Sequence, residues 1–134
     1  MKHVVFVCIH NSGRSQMAEA FFNQMADGKA VASSAGTHPA EDVNQVVVEA
    51  MKEVGIDISR NKPKALTLEM VEQADRMITM GCGADAAEVC PASFIETEDW
   101  ELDDPHEKRI TTVREIRDEI KSRVWTLINE PGIL

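Results

Sequence analysis

The sequence predicts an α/β fold in which a four-stranded parallel sheet is flanked by helices in three layers. Two observations lead to this prediction: short apolar runs rich in β-branched residues alternate with segments of helical periodicity, and turn-forming residues separate them. Because strands that alternate with helices pair in parallel through crossovers, helices should cover both faces of the sheet. The 134 residues fit a single domain, residues 1–134, which needs neither metal nor disulfide to hold its core.

The first strand is predicted at residues 3–7, a β-branched and aromatic run short enough to be a buried strand. It ends at the polar segment 8–15, after which a helix begins at residue 16 and stops at Asp27-Gly28. The apolar face of this helix is formed by Met17, Ala18, Phe21, Phe22 and Met25.

A second strand is expected at residues 29–33, and the small and turn-forming residues 34–39 then predict a loop. The second helix ends at Gly55, where a left-handed residue is expected. Its apolar face is formed by Val43, Val46, Val47, Ala50, Met51 and Val54.

A short helix is predicted at residues 68–73, capped by Thr67, and a third strand follows at residues 76–80. Residues 81–92 form a loop, residues 94–97 a weaker fourth strand, and the acidic stretch 96–104 a solvated segment. In the last helix Thr112 and Glu115 form a capping box, and Pro131-Gly132 follows its end. The apolar face of that helix is formed by Val113, Ile116, Ile120, Val124, Leu127 and Ile128.

The composition and net charge of the chain disfavour some classes of binding partner. The formal net charge of −9 disfavours a nonspecific nucleic-acid surface or an anionic membrane surface, and no apolar run approaches the ~20 residues that cross a bilayer. The amino terminus lacks the features of a signal peptide, so we expect a cytoplasmic protein, with a monomer as the default. Three cysteines in a reducing compartment are typically catalytic, redox-active or buried.

The strongest functional signal is Cys8 followed, after five residues, by Arg14, between a strand and a helix. Such a loop directs successive backbone amides at one point, which is also the positive end of the helix dipole, and so predicts an oxyanion site. These amides and Arg14 favour the thiolate form of Cys8, a nucleophile. Arg14 grips two oxygens of a tetrahedral anion, and Ser15 donates to the sulfur. The predicted anion-binding residues are Ile9, His10, Asn11, Ser12, Gly13, Arg14 and Ser15.

Residues 8–20 resemble the first motif of arsenate reductases built on the low-molecular-weight protein tyrosine phosphatase fold. The resemblance extends over nearly the whole chain. Residues 33–37 resemble the second segment of the family, residues 80–83 with Cys90-Pro91 its redox segment, and residues 100–105 its acid loop. The first motif and the acid loop are shared with the phosphatases, whereas the cysteine pair is not.

The resemblance implies a thiol relay. Cys8 attacks arsenate, Cys82 attacks the arsenylated Cys8 to release arsenite, and Cys90 then resolves the disulfide between Cys8 and Cys82. Asp104 protonates the leaving oxygen, and Ser34 braces the first loop by hydrogen bonding, a role that Glu19 could share. No tightly bound cofactor is expected. The partners are a small oxyanion (arsenate, with phosphate or sulfate as mimics) and an external reductant, either a thioredoxin-like protein or a low-molecular-weight thiol.

Several alternatives remain open at the level of sequence. Residues 103–104 could be a solvated acidic turn, and Cys90 an inert core thiol. A zinc site at Cys82 and Cys90 is disfavoured by their spacing, so no metal is expected. Seven residues separate Cys82 from Cys90, more than is usual in the thioredoxin-linked members of the family. The segments around Cys82 and Trp100 resemble instead the branch of the family that uses a low-molecular-weight thiol. His10 occupies a position where glycine is common in the family.

Two other functions compete with arsenate reduction. A low-molecular-weight protein tyrosine phosphatase would hydrolyse a phosphocysteine formed on the same loop, but such enzymes usually carry tyrosines after the Asp-Pro pair, and this chain has none. A non-enzymatic redox sensor or oxyanion-binding regulator would use the thiols as a switch. Arg14 and Asp104 disfavour the sensor, because sensing needs no acid for a leaving group.

Overall fold

The computed structural model describes residues 1–80, 97–103 and 105–134. Within these ranges four strands form one parallel sheet in the order β2-β1-β3-β4, which confirms the predicted fold class. The strands are β1 (Lys2–Cys8), β2 (Ala30–Gly36), β3 (Arg76–Thr79) and β4 (Thr97–Asp99). The helices in the same ranges are α1 (Arg14–Ala26), α2 (Gln45–Lys52), α3 (Leu68–Gln73) and α4 (Ile110–Ile128). None of them is long and apolar enough to cross a membrane.

The hydrophobic core is centred on β1, because this strand pairs with β2 on one side and β3 on the other. Phe6 is fully buried there, with ring centroids 6.1 Å from Phe22 of α1 and 5.7 Å from Trp100. The apolar faces predicted for the helices pack on this core. All six residues predicted for α4 are buried, as are four of the five predicted for α1, while Met25 is partly buried.

α3 has the predicted bounds, whereas α2 is shorter than predicted, because Val43 and Val54 of its expected apolar face lie outside Gln45–Lys52. Asn44 caps α2, its Oδ1 accepting from the N–H of Val46 at 2.9 Å, and Thr67 caps α3 by accepting from the N–H of Met70 at 3.2 Å. Gly55 follows α2 with φ of 83°, a conformation that favours glycine. These ends fix where the chain re-enters the sheet.

β1 and β3 lie within one residue of the predicted bounds at each end, whereas β2 and β4 differ by more. β2 runs to Gly36, because its pairing with β1 continues to the register pair Cys8 and Gly36. β4 occupies Thr97–Asp99 rather than 94–97, of which residues 94–96 lie outside the described residues. Trp100 and Leu102 are buried, so the acidic stretch is not solvated throughout. Tertiary contacts of these two apolar side chains outweigh the polarity of their neighbours.

The predicted starts of α1 and α4 also differ from the structure. The first turn of α1 begins at Arg14, two residues earlier than predicted, because the oxyanion-loop motif itself enters the helix. The capping box at Thr112 and Glu115 is wrong: α4 begins at Ile110, and its N-cap residue Arg109 makes no side-chain cap hydrogen bond. The helix therefore depends on burial of its apolar face rather than on a cap.

The carboxyl ends of the strands meet at one edge of the sheet, where open α/β sheets bind ligands. The N–H of Thr37 donates to the carbonyl of Cys8 at 3.2 Å, and the N–H of Met80 to the carbonyl of Val7 at 2.8 Å. The N–H of Trp100 donates to the carbonyl of Thr79 at 2.9 Å. The ends of all four described strands are thereby linked around Cys8.

Candidate active site

Cys8 is the last residue of β1, and its thiol lies inside the loop that leads to α1. The residue is 2% exposed. The backbone N–H of Asn11 donates to Cys8 Sγ at 3.2 Å, and Ser15 Oγ lies 2.8 Å from the same sulfur. Two polar groups thus converge on the sulfur from the loop and from the first turn of α1.

The carbonyl groups of the loop are held by the segment that follows β2. The N–H groups of His38 and Ala40 donate to the carbonyls of Ile9 and His10 at 2.7 and 3.0 Å. The N–H of Asn44 donates to the carbonyl of Ser12 at 2.9 Å. In a trans peptide the C=O and the next N–H point in opposite directions, and the described chain has no cis peptide. The following amides therefore point away from this segment, in the manner of an anion-binding nest.

Asn11 holds the loop in shape. It is fully buried with φ of 50°, the left-handed conformation that asparagine tolerates better than most residues. Its Nδ2 donates to Ser15 Oγ at 2.7 Å and to Ser34 Oγ at 3.0 Å, and its Oδ1 accepts from the N–H of Lys64 at 3.0 Å. One amide side chain therefore joins the loop to α1, β2 and the chain before α3.

The contacts of Asn11 leave the hydroxyl proton of Ser15 available to the sulfur. The amide protons of Asn11 go to Ser15 Oγ and Ser34 Oγ, so Ser15 Oγ is an acceptor in that contact. The hydroxyl proton of Ser15 is not used in that contact, and Cys8 Sγ lies 2.8 Å from Ser15 Oγ. Ser15 Oγ and the N–H of Asn11 thus hold the sulfur from two sides.

Arg14 is the first residue of α1 and is 4% exposed. Its Nη1 donates to the carbonyl of Met80 at 2.6 Å and to that of Leu102 at 3.1 Å. The guanidinium is therefore oriented by the chain that follows β3 and by the chain that follows β4. Gly13, the N-cap of α1, offers no side chain to the first-turn amides, which suit an anion instead.

Behind the loop, Ser34 connects Asn11 to a carboxyl group. The Ser34 hydroxyl donates to Glu19 Oε2 at 3.1 Å. Burial raises the pKa of Glu19, an effect that the Lys64 ammonium group, 3.9 Å from Glu19 Oε1, opposes only in part. A hydrogen-bonded chain thus runs from Glu19 through Ser34, Asn11 and Ser15 to the Cys8 sulfur.

The raised pKa of Glu19 predicts how Glu19→Gln changes stability with pH. The folded protein binds the Glu19 proton more tightly than the unfolded chain, so the charged carboxylate costs stability at high pH, and that cost disappears as pH falls through the raised pKa. We expect Glu19→Gln to melt above the wild type at pH 8, with a difference that shrinks toward pH 4. Glu72→Gln, at an exposed position of α3, is the matched control for this comparison of melting temperatures. A difference that grew on acidification would contradict the assignment.

Several residues at the site were not recognised from the sequence. Gln16 is buried, and its Nε2 donates to the carbonyl of Asn11 at 3.1 Å while its Oε1 accepts from Asn61 at 3.1 Å. A methyl group on Gly36 would lie 2.7 Å from the carbonyl oxygen of Ile9 and 3.0 Å from the nitrogen of Asn11. In the sequence, the place of Gln16 beside an apolar helix face was a weak indication that this polar side chain is buried. Nothing in the sequence indicated a role for Asn61 or Lys64.

The close approach at Gly36 predicts a large effect of Gly36→Ala. The added carbon meets backbone atoms of the loop, so we expect a loss of about 1–3 kcal/mol in unfolding free energy. The displaced loop should also weaken inorganic phosphate binding by about tenfold or more, measured by isothermal titration calorimetry. Gly28→Ala is the control, since nothing lies within 4 Å of its added carbon but its φ of 84° strains the backbone. Weaker phosphate binding in both variants alike would contradict a local effect.

The described structure brings together most of the residues predicted from sequence. Cys8, Ser15, Ser34 and Glu19 are connected by hydrogen bonds through Asn11, and Arg14 begins α1 at the other end of the loop. Cys82, Cys90 and Asp104 lie outside the described residues. Pro105 lies against the loop, since a methyl group on Gly13 would be 2.6 Å from its Cγ. Within the described ranges, no group of three or more His, Cys, Asp or Glu side chains is arranged to hold a metal ion.

Comparison with known proteins places this geometry in context. The family model described as low molecular weight phosphotyrosine protein phosphatase matches residues 3–131. A putative arsenate reductase of Halobacterium salinarum is 39% identical over 130 residues, covering 93% of this chain and 89% of its own. A glutaredoxin arsenate reductase of Synechocystis sp. is 36% identical over 132 residues, covering 96% and 97%.

The similar solved structures include arsenate reductases and a phosphatase. A thioredoxin-dependent arsenate reductase of Corynebacterium glutamicum is 38% identical with a TM-score of 0.78; the match covers 95% of this chain but only 60% of that chain. An arsenate reductase in the phosphate binding state is 34% identical, with a TM-score of 0.78 and coverage of 96% and 97%. A low-molecular-weight protein tyrosine phosphatase of T. tengcongensis is 27% identical, with a TM-score of 0.81 and coverage of 96% and 98%.

Proposed function

The chain belongs to the low-molecular-weight phosphotyrosine protein phosphatase family, and from this premise we propose that it is a thiol-dependent arsenate reductase. The observation that carries the proposal is the position of the Cys8 sulfur: it accepts from the N–H of Asn11 and contacts Ser15 Oγ, inside a loop whose carbonyls are held from outside. The relatives named as arsenate reductases, at 39% and 36% identity over most of the chain, support this activity over ester hydrolysis.

In the first step, Cys8 Sγ attacks the arsenic atom of arsenate. A sulfur–arsenic bond forms, and one oxygen leaves as water after taking a proton from Asp104. The loop amides and the Arg14 guanidinium stabilise the negative charge on the remaining oxygens, which is the main contribution a protein makes to such a step. No metal is needed for this chemistry, because the positive groups are the amides, the helix terminus and Arg14.

In the second step, Cys82 attacks the sulfur of the arsenylated Cys8. A disulfide bond forms, the sulfur–arsenic bond breaks, and its electron pair reduces arsenic from As(V) to As(III), which leaves as arsenite. Cys90 then attacks Cys82, which regenerates the Cys8 thiol and leaves a disulfide between Cys82 and Cys90. An external thiol reductant returns that disulfide to the dithiol state.

The external reductant is a thiol system, for which there are two candidates. A thioredoxin-like protein suits the three-cysteine relay, and the similar Corynebacterium glutamicum protein is named as thioredoxin-dependent. A low-molecular-weight thiol with a glutaredoxin is the other candidate, since the similar Synechocystis protein is named a glutaredoxin arsenate reductase. The two systems predict different roles for Cys90, because only the first requires an internal resolving cysteine.

Multiple turnovers of arsenite in the presence of thioredoxin, thioredoxin reductase and NADPH would support the proposal. Cys82→Ser should halt the reaction after arsenylation of Cys8. Full activity of Cys90→Ser with thioredoxin would contradict the three-step relay, and activity only with glutathione and glutaredoxin would assign the other reductant. Hydrolysis of p-nitrophenyl phosphate without any arsenite would instead favour a phosphatase, a reaction consistent with the similar T. tengcongensis structure.

A further inference from the structure

β2 is an outer strand of the sheet, and its own sequence lacks the usual protection of a sheet edge. The free side of an edge strand presents N–H and C=O groups that can pair with a strand of another molecule. Natural edge strands are commonly protected by charged residues or proline, and the strand Ala30–Gly36 includes neither. β4, the other outer strand of the described sheet, is only three residues long and carries Glu98 and Asp99. The edge of β2 therefore depends on protection from elsewhere in the chain.

The pairing at the carboxyl end of β2 shows which of its residues direct their backbone groups outward. The N–H of Gly36 donates to the carbonyl of Lys64 at 2.8 Å, and the carbonyl of Gly36 accepts from the N–H of Leu66 at 3.0 Å. In an extended strand the N–H and C=O of one residue point to the same side, and successive residues alternate between the two sides. Ser34 and Ala32 are therefore the next outward positions, and the chain before α3 covers only the end of this edge.

Asn23 of α1 takes the place of a neighbouring strand at Ala32. Its Oδ1 accepts from the N–H of Ala32 at 2.8 Å, and its Nδ2 donates to the carbonyl of Ala32 at 3.1 Å. A side-chain amide offers one acceptor and a donor, as a strand backbone does, so a single residue can satisfy both outward groups. The side chain of Asn23 thus occupies the hydrogen-bonding positions that an added strand would use.

The preceding turn of α1 covers the other outward position. Glu19 lies four residues before Asn23, and its Oε2 accepts from the Ser34 hydroxyl at 3.1 Å, while the Ser34 backbone also hydrogen-bonds its carboxyl group. Four residues of a helix span about 6 Å and two residues of a strand span about 6.6 Å, so successive turns of α1 meet alternate residues of β2. Helix and strand therefore match along this edge from Ala32 to Ser34.

We propose that Asn23 closes the outer edge of β2 to a second copy of this chain, a role separate from the proposed function. Without its amide, the N–H and C=O of Ala32 are left unpaired beside Val31, an apolar residue that is 39% exposed. A second copy offers the same uncharged edge, so two β2 strands can pair in antiparallel fashion about a twofold axis at Val31. Uncharged strand segments without proline favour such pairing.

Asn23→Ala is the variant that opens the edge. It removes both hydrogen bonds at Ala32, and alanine suits the interior of α1. Sedimentation equilibrium over rising protein concentrations measures the weight-average mass of the variant and of the wild type. We expect the mass of Asn23→Ala to rise toward about twofold that of the wild type, as for a twofold symmetric pair. If Asn23→Ala does not fold, Asn23→Ser replaces it, because a serine hydroxyl is too short to make both hydrogen bonds.

Two further variants make the test specific to the edge of β2. Gln24→Ala removes an exposed amide from the same turn of α1 and should keep the wild-type mass. Val31→Lys, combined with Asn23→Ala, places a charge on the opened edge without restoring the hydrogen bonds of Asn23. Two lysines that face each other across the twofold axis repel, so this double variant should return to the wild-type mass. A variant that associates because it is partly unfolded should not be rescued in this way.

Association of Asn23→Ala that Val31→Lys reverses would support the proposal. The wild-type mass for Asn23→Ala at every concentration would overturn it, and so would association that persists in the double variant or occurs equally in Gln24→Ala. These outcomes do not depend on arsenite formation, so a failure of the proposed function leaves the test of Asn23 intact.

Discussion

Cys8→Ser is expected to abolish arsenite formation, with a loss of about 10⁴-fold or more, as for other enzymes that lose their nucleophile. The hydroxyl of serine does not ionise near neutral pH and has no stable route to a disulfide, so both steps of the relay stop. The measurement is arsenite release with a thiol reductant present in excess. Loss of the sulfur should leave the amides and Arg14 in place.

The same variant separates chemistry from binding. Because the loop amides and Arg14, rather than the sulfur, are the groups proposed to hold the anion, Cys8→Ser should bind inorganic phosphate within about threefold of the wild type. Retained arsenite formation in Cys8→Ser would show that another thiol is the nucleophile. Loss of phosphate binding with retained folding would show that the sulfur shapes the loop.

The second large effect is expected for Arg14→Lys, which keeps the charge and removes the planar fork. We expect kcat/KM for arsenate to fall by about 10²–10³-fold, the usual cost of removing a donor to a developing oxyanion. Both contacts that orient the guanidinium, to the carbonyls of Met80 and Leu102, come from Nη1, so the donors on its other nitrogens are the ones that lysine cannot reproduce. The readout is the initial rate of arsenite formation over a range of arsenate concentrations.

Arg117→Lys is the matched control for this substitution. Arg117 is also buried and also donates to a backbone carbonyl, that of Ala50 at 2.8 Å, but it lies on α4 and pairs with Glu53 of the chain after α2. The control should lose stability and keep kcat/KM within about threefold. A similar loss of kcat/KM in both variants would attribute the effect of Arg14→Lys to packing.

The fold could be predicted from the sequence because its strands and helices are indicated by residues that are close together in the chain. The β-branched run that became β1, the cap residue Thr67 and the left-handed Gly55 each act through neighbours a few residues away. The loop motif was recognised for the same reason, since Cys8 and Arg14 are close in the chain and lie between a strand and a helix. Local pattern thus predicted both the parallel sheet and the position of the loop between Cys8 and Arg14.

What the sequence did not predict depends on contacts between distant segments. A side chain at Gly36 would collide with the loop, because β2 ends against it. The backbone N–H of Lys64 donates to Asn11 from 53 residues away. Neither residue type carries a signal for such a contact. The wrong start of α4 has a similar cause, because burial of the helix face, rather than a capping side chain, fixes where that helix begins.

The central claim is that Cys8 attacks an oxyanion and that a second thiol then removes the product. The most direct measurement treats the fully reduced protein with excess arsenate and no added thiol, then maps the cysteines by peptide mass spectrometry and counts the arsenite released. We predict one arsenite and one disulfide bond per chain in the wild type, and an arsenic adduct on Cys8 without a disulfide in Cys82→Ser. Three reduced cysteines and no arsenite after this treatment would contradict the claim.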